Sequence, residues 1–258
     1  MNNIKIAFFD IDGTLRDINS ERISKKVFYT LKELKSKGII ICIATGRAPM
    51  TLPDFEDVEF DAYVTFNGSY CYNNNGTIYS NSISNNDVKI LLDNASKMNR
   101  AVSIASKKRL AANGSDVDLE EYYNIAKLEL EVSKDFDKVA EDDIYQVMLG
   151  CRKEEYGTIL KNTKNVKITA WWDRAVDIIP LDGGKGNGVS KVLEHFGIDR
   201  NEAIAFGDGN NDIEMFEVVG NTVAMGNASD ELKEIATDVC KTAADDGIYH
   251  YCVEKGLI

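Results

Sequence analysis

Short, wholly apolar runs alternate along the chain with longer stretches whose apolar residues recur every three or four positions. The first run, Ile6-Ala7-Phe8-Phe9, is β-branched and aromatic, which predicts a strand buried on both faces as in a parallel sheet. From Ser24 to Lys37, Val27, Leu31 and Leu34 fall at helical spacing, and Gly38 supplies the stop. Residues 39–44 form a second buried strand, completing a βαβ unit whose crossover is right-handed. A third strand over 62–66 runs into Asn67-Gly68. A β-hairpin follows over 69–79, turning at Asn73-Asn74-Asn75-Gly76.

The rhythm changes between residues 82 and 178. Helical spacing over 88–98, 119–125 and 154–161 is interleaved with predicted strands at 101–105, 144–151, 166–172 and 175–179. No strand in this α+β stretch ends in the clustered carboxylates of the flanking regions. The α/β pattern then resumes with a helix from Lys185 to Gly197, carrying Val189, Val192, Leu193 and Phe196 on one face. A strand over 203–206 follows, then a helix (213–218), a strand (222–225) and a helix (231–236). A short strand near Val239 and a last helix over 247–254 complete the chain. The expectation is an α/β fold with a mostly parallel sheet built from residues 1–81 and 179–258, plus an inserted α+β domain at 82–178.

Composition narrows the class. With 258 residues, 44% hydrophobic and 28% charged, the chain can bury one large core or two unequal ones. Its apolar runs fall far short of the ~18 residues a membrane span requires, and the start lacks a signal-peptide layout. Five scattered cysteines without a CxxC pair argue for reduced thiols in a cytoplasmic protein, not disulfides or zinc. A net charge of −12 argues against nucleic acid as the default partner, and no membrane partner is expected. It also requires that an anionic substrate be drawn in by a metal and a few cations. Two histidines, His195 and His250, leave no room for catalysis built on several.

Candidate chemistry sits where elements begin and end. Asp10 closes the first strand, Asp12 lies on the next turn, and Gly13 permits a sharp path. Two carboxylates so close need a cation, a shared proton or strong donors, although Asp and Gly also favour turns for backbone reasons alone. The second strand ends in Thr45-Gly46-Arg47, where Thr45 is equally an ordinary helix cap. Lys185 opens a helix and alone reads as a solvated lysine. Gly207-Asp208-Gly209-Asn210-Asn211-Asp212 follows a buried strand and lacks the downstream Glu of an EF-hand loop. A parallel sheet would bring all four to one edge, where open α/β sheets bind ligands.

Together and in this order, these segments resemble the four motifs of the haloacid dehalogenase (HAD) superfamily. The place and size of the insertion, the Asn67-Gly68 step and Asp246-Gly247-Ile248 resemble its Cof-type group. The resemblance covers both flanking segments and implies a Rossmann-like core with an inserted cap. It implies a Mg²⁺-dependent phosphatase of small phosphorylated metabolites, sugar phosphates or similar, working through an aspartyl-phosphate. Asp10 would be the nucleophile and Asp12 the acid/base. Asp10, the carbonyl of Asp12 and Asp208 would hold Mg²⁺, with Asp212 orienting them or ligating in turn. Thr45, Gly46, Lys185 and Asn211 would hold the phosphoryl oxygens. Gly183-Gly184 departs from the pattern, where a less glycine-rich approach to Lys185 is expected.

The implied cap closes over the core and selects the substrate. Its candidate contacts are Arg47, Arg109, Trp172 and Arg174. Three of them have a plainer reading: Arg47 as a structural partner of an acidic residue, Arg109 as part of the solvated run Lys107-Lys108-Arg109, and Trp172, with Trp171, as domain core or interface. Two other functions stay open, a phosphomutase or phosphotransferase and a non-catalytic phospho-ligand binding module. The compact 207–212 loop favours a phosphatase over the former, and Asp12 beside Asp10 weighs against the latter. The identity of the phosphate ester and the oligomeric state stay open.

Overall fold

In a computed structural model, which describes residues 3–20, 22–170 and 173–258, the first apolar run becomes β1 (Ile6–Phe9), with all four side chains buried. Helix α1 (Lys25–Ser36) starts at Ser24, whose hydroxyl accepts the Val27 N–H, and it buries Val27, Phe28, Leu31 and Leu34. Strands β2 (Ile40–Ala44), β3 (Ala62–Thr65), β4 (Tyr70–Asn73) and β5 (Gly76–Ser80) follow, the last two joined through Asn74 and Asn75. Next come α2 (Asn85–Lys97), β6 (Val102–Ser106), β7 (Leu110–Ala112), α3 (Val117–Ala126) and α4 (Phe136–Val139). Then β8 (Ile144–Gly150), α5 (Tyr156–Ile159), β9 (Val166–Thr169) and β10 (Ala175–Pro180). The chain ends with α6 (Lys185–Phe196), β11 (Ala203–Gly207), α7 (Ile213–Val218), β12 (Asn221–Ala224), α8 (Asp230–Ile235), β13 (Asp238–Val239) and α9 (Gly247–Glu254).

The residues fall into two compact units. One comprises residues up to Gly46, Pro53–Ser80 and Gly184–Ile258; the other comprises Arg47–Leu52 and Asn81–Gly183. The first unit holds a sheet ordered β13-β12-β11-β1-β2-β3-β4-β5, parallel from β13 to β3 and antiparallel beyond. Sequence order runs outward in both directions from β1, so β1 and β11 flank the switch point where such sheets bind ligands. Their register pairs Phe9 with Phe206, whose rings stack 5.1 Å apart, and so ends the two strands side by side.

The strand expected through residue 66 stops at Thr65, because Phe66, Asn67 and Gly68 adopt φ of +51°, +49° and +87°. An apolar residue at a strand end carries no signal that its backbone turns left-handed.

The second unit is an antiparallel sheet ordered β7-β6-β8-β10-β9. Val102, Ile104, Val147, Leu149, Val176 and Ile178 on one of its faces join Val88, Leu91 and Ala95 of α2 in one apolar core. Strand β7 and helix α4 escaped the sequence pattern because three and four residues are too few to show a period. Strand β9 ends at Thr169, short of the expected 172, and Trp171 and Trp172 lie outside the described residues. No helix among the described residues is long and apolar enough to cross a membrane.

Candidate active site

Parallel register gathers the chemistry. The Asp10 N–H donates to the Phe206 carbonyl at 3.1 Å, which ties the end of β1 to the turn after β11. Lys185, the first residue of α6, is buried. Its Nζ donates to Asp10 Oδ1 and to Asp212 Oδ1, each at 2.6 Å. The second oxygen of Asp212 accepts the N–H groups of Asp208 and Gly209, each at 3.0 Å. Both Asp212 oxygens are thus engaged within the protein. Asp208 Oδ1 accepts the Thr14 hydroxyl at 2.8 Å. One oxygen each from Asp10, Asp208 and Asp212 lie within 4.8 Å of one another.

Gly13 makes this approach possible. It has φ +91°, and a Cβ there would stand 2.1 Å from Asp208 Oδ2. Its carbonyl accepts the Asn227 carboxamide at 2.9 Å. Asn227 lies just past β12 in a stretch without any motif, so the sequence carried no sign of it. The Asp12 carboxylate turns instead to Arg16, a buried guanidinium four residues on. Their loop closes on itself, since the Gly13 N–H donates to the Arg16 carbonyl at 2.7 Å. The i,i+4 spacing of opposite charges was the one available hint of that pair.

Thr45 is buried at the end of β2, its N–H donating to the Val64 carbonyl at 2.9 Å. Gly46 abuts the Asn67 carboxamide, and Asn211 Nδ2 donates to Asn67 Oδ1 at 3.3 Å. The glycine-rich approach to Lys185 has a steric cause. A Cβ on Gly184, which has φ +117°, would stand 1.6 Å from Glu214 Oε2, and one on Gly186 would stand 2.3 Å from the Glu214 carbonyl oxygen. Only glycine lets α6 start against α7.

Charge is crowded here. Burial, reinforced by Asp212 and Asp12 and opposed by Lys185, pushes Asp10 up to about 7. Burial, with Asp10 and Asp212, pushes Asp208 up to about 8. Burial would lower the Lys185 ammonium, but Asp10 and Asp212 outweigh it and hold Lys185 above its ordinary value. Three carboxylates thus lie close together, with one ammonium bonded to two of them. Oxygen-only donors in that number fit a hard divalent cation such as Mg²⁺, which would draw the carboxylates back to their ionised forms.

The remaining sequence candidates belong to the second unit. Arg47 donates to the carbonyls of Thr51 (2.9 Å) and Ala126 (3.0 Å). Arg109 pairs with Asp135 at 2.5 Å, and Arg174 with Glu121 at 3.1 Å and Asp173 at 3.4 Å. Trp172 lies outside the described residues.

A Rossmann-type sheet with paired carboxylates and a buried lysine at its switch point places the molecule among α/β hydrolytic enzymes. More narrowly, the chain belongs to the haloacid dehalogenase-like hydrolase family, whose pattern it matches over residues 7–252, and it is of the Cof type. It is 34% identical to YkrA of Bacillus subtilis (strain 168) over 98% of each chain. It is 28% identical to the 5-amino-6-(5-phospho-D-ribitylamino)uracil phosphatase YitU of the same organism, over 95% of each chain. Among solved structures, the HAD subclass IIB sugar phosphatase BT4131 superposes with a TM-score of 0.87 at 26% identity, covering 98% of this chain and 100% of that one.

Proposed function

We propose that the protein is a Mg²⁺-dependent phosphatase of small phosphorylated metabolites that works through an aspartyl-phosphate on Asp10. Its class, a phosphoric monoester hydrolase of HAD type, rests on family membership and on relatives named as phosphatases. The observation that carries the finer reading is the buried Lys185 ammonium, 2.6 Å from both Asp10 and Asp212 at the switch point, with Asp208 beside them. Asp10, Asp208 and the Asp12 carbonyl would hold Mg²⁺, with Asp212 orienting the group. Bound there, the cation would neutralise phosphoryl oxygens and keep Asp10 ionised.

An Asp10 carboxylate oxygen attacks phosphorus, and the ester oxygen leaves with a proton from Asp12. Water then attacks the same phosphorus and gives its proton to Asp12. Phosphate departs and Asp10 is restored. Lys185, Thr45, the Gly46 amide and the Asn211 amide stabilise charge on the transferring group. Asp12 is suited to its double role because its carboxylate is not one of the Asp10–Asp208–Asp212 group and is paired with Arg16.

The substrate class follows from the relatives whose names state one, a sugar phosphatase and phosphatases of a phosphoribityl compound. The test is phosphate release from sugar phosphates, nucleotides, flavin mononucleotide and pyridoxal phosphate, with and without Mg²⁺, by wild type and Asp10→Asn. Mg²⁺-dependent release by wild type and none by Asp10→Asn is expected. Wild-type rates from Asp10→Asn would overturn the mechanism.

A further inference from the structure

Three consecutive left-handed residues, Phe66, Asn67 and Gly68, separate β3 from β4. Asparagine and glycine tolerate that conformation; a buried phenylalanine does not do so readily. Such a turn persists only where its surroundings fix it. Asn67 is the point of fixation. Its N–H donates to the Thr45 carbonyl at 3.1 Å, and its carbonyl accepts the Gly184 N–H at 2.8 Å. Its Oδ1 accepts Asn211 Nδ2 at 3.3 Å. Its carboxamide lies against Gly46, where a Cβ would stand 3.0 Å from Oδ1 and 3.1 Å from Nδ2. Gly68 completes the junction, since a Cβ there would fall 2.0 Å from the Gly184 carbonyl oxygen.

One residue, 1% exposed, therefore touches the turn after β2, the start of α6 and the loop after β11. We propose that Asn67 is a positioning residue of the phosphoryl-binding site. It sets the Asn211 amide and the Gly46 backbone in register with Lys185. This rests on the phosphatase reading above, which gives Asn67 no role. A primary amide has two N–H groups. Asn211 spends one on Asn67, while its Oδ1 packs at Gly209, where a Cβ would stand 2.6 Å away. The second N–H is assigned to a phosphoryl oxygen.

The variants Asn67→Gly and Asn67→Asp separate the side chain from the backbone, since both keep the left-handed turn. Glycine removes the carboxamide; aspartate keeps its shape and places a negative charge beside the anion-binding groups. Binding of inorganic phosphate in the presence of Mg²⁺ is measured by calorimetry, and turnover is measured with p-nitrophenyl phosphate and an alkyl phosphate. Asn67→Gly should weaken phosphate binding and raise KM about tenfold, by the same factor for both esters, with the half-saturating Mg²⁺ concentration unchanged. Asn67→Asp should be at least as impaired. Wild-type phosphate binding in both variants, an equal shift in Mg²⁺ dependence, or loss of folding in both would overturn the assignment. Wild-type protein that binds phosphate but turns over no ester, with binding lost in the variants, would overturn the phosphatase reading and leave this one standing.

Discussion

Lys185 Nζ lies 2.6 Å from Asp10 Oδ1, joining the first residue of α6 to the first carboxylate after β1 across 175 positions of sequence. The same ammonium reaches Asp212 at 2.6 Å, and neither Lys185 nor Asp212 is more than 1% exposed. A cation so enclosed is held by its two carboxylates against the cost of its own burial. Lys185→Met, similar in length and uncharged, should lower kcat/KM for p-nitrophenyl phosphate by at least about 100-fold, the cost of losing one preorganised donor to developing charge. It also leaves two buried carboxylates without their cation, so the melting temperature of the metal-free protein should fall. Steady-state kinetics and thermal unfolding check both.

Asp12 is proposed to protonate the leaving oxygen. Alkoxides need that proton, whereas p-nitrophenolate leaves well without it. Asp12→Asn should therefore slow hydrolysis of alkyl phosphates about tenfold or more beyond its effect on p-nitrophenyl phosphate. Equal losses on both esters would remove the acid role from Asp12.

Without a cation, burial raises Asp10 to about 7 and Asp208 to about 8, against an ordinary 3.8. Between pH ~4 and ~8 the folded protein then binds more protons than the unfolded chain, so stability falls as pH rises through that window. In EDTA the melting temperature should drop by several degrees between about pH 5 and pH 8.5. Added Mg²⁺ should raise it at the higher pH and do little at the lower, where both carboxyls are protonated. A flat profile in EDTA would show that these carboxylates are not strained by burial.

Gly13→Ala places a methyl 2.1 Å from Asp208 Oδ2 at a backbone φ of +91°. The carboxylate or the turn must move, at a cost of about 1–3 kcal/mol. Turnover at saturating substrate should require more Mg²⁺ than wild type does, with a melting temperature several degrees lower. A Mg²⁺ titration of activity and a thermal scan test this together.

The glycines before Lys185 show what local pattern conveys and what it omits. Gly183-Gly184 stood out in the sequence as a departure, yet the group that Gly184 makes room for, the side chain of Glu214 on α7, is thirty residues away in a separate helix. Asn67-Gly68 was visible as a step between a strand and a hairpin. Its contact with Asn211 spans 144 positions, which no local reading contains. Asn227 left no trace at all, because an asparagine in a loop looks the same whether it faces water or the Gly13 carbonyl.

The sequence by itself determined most strands and helices, the short β7 and α4 excepted, since apolar periodicity, the Ser24 cap and the Asn74-Asn75 turn act over a few residues. Its order of carboxylates, threonine, lysine and acidic loop also carried the resemblance to the family, and parallel β1, β2 and β11 end on one edge. Tertiary structure alone decided which groups meet there. It set Lys185 between Asp10 and Asp212, turned Asp12 to Arg16, and bent Phe66 and Asn67 into a left-handed turn. Those outcomes depend on close packing of distant segments, and they appear only once the sheet has brought the segments together.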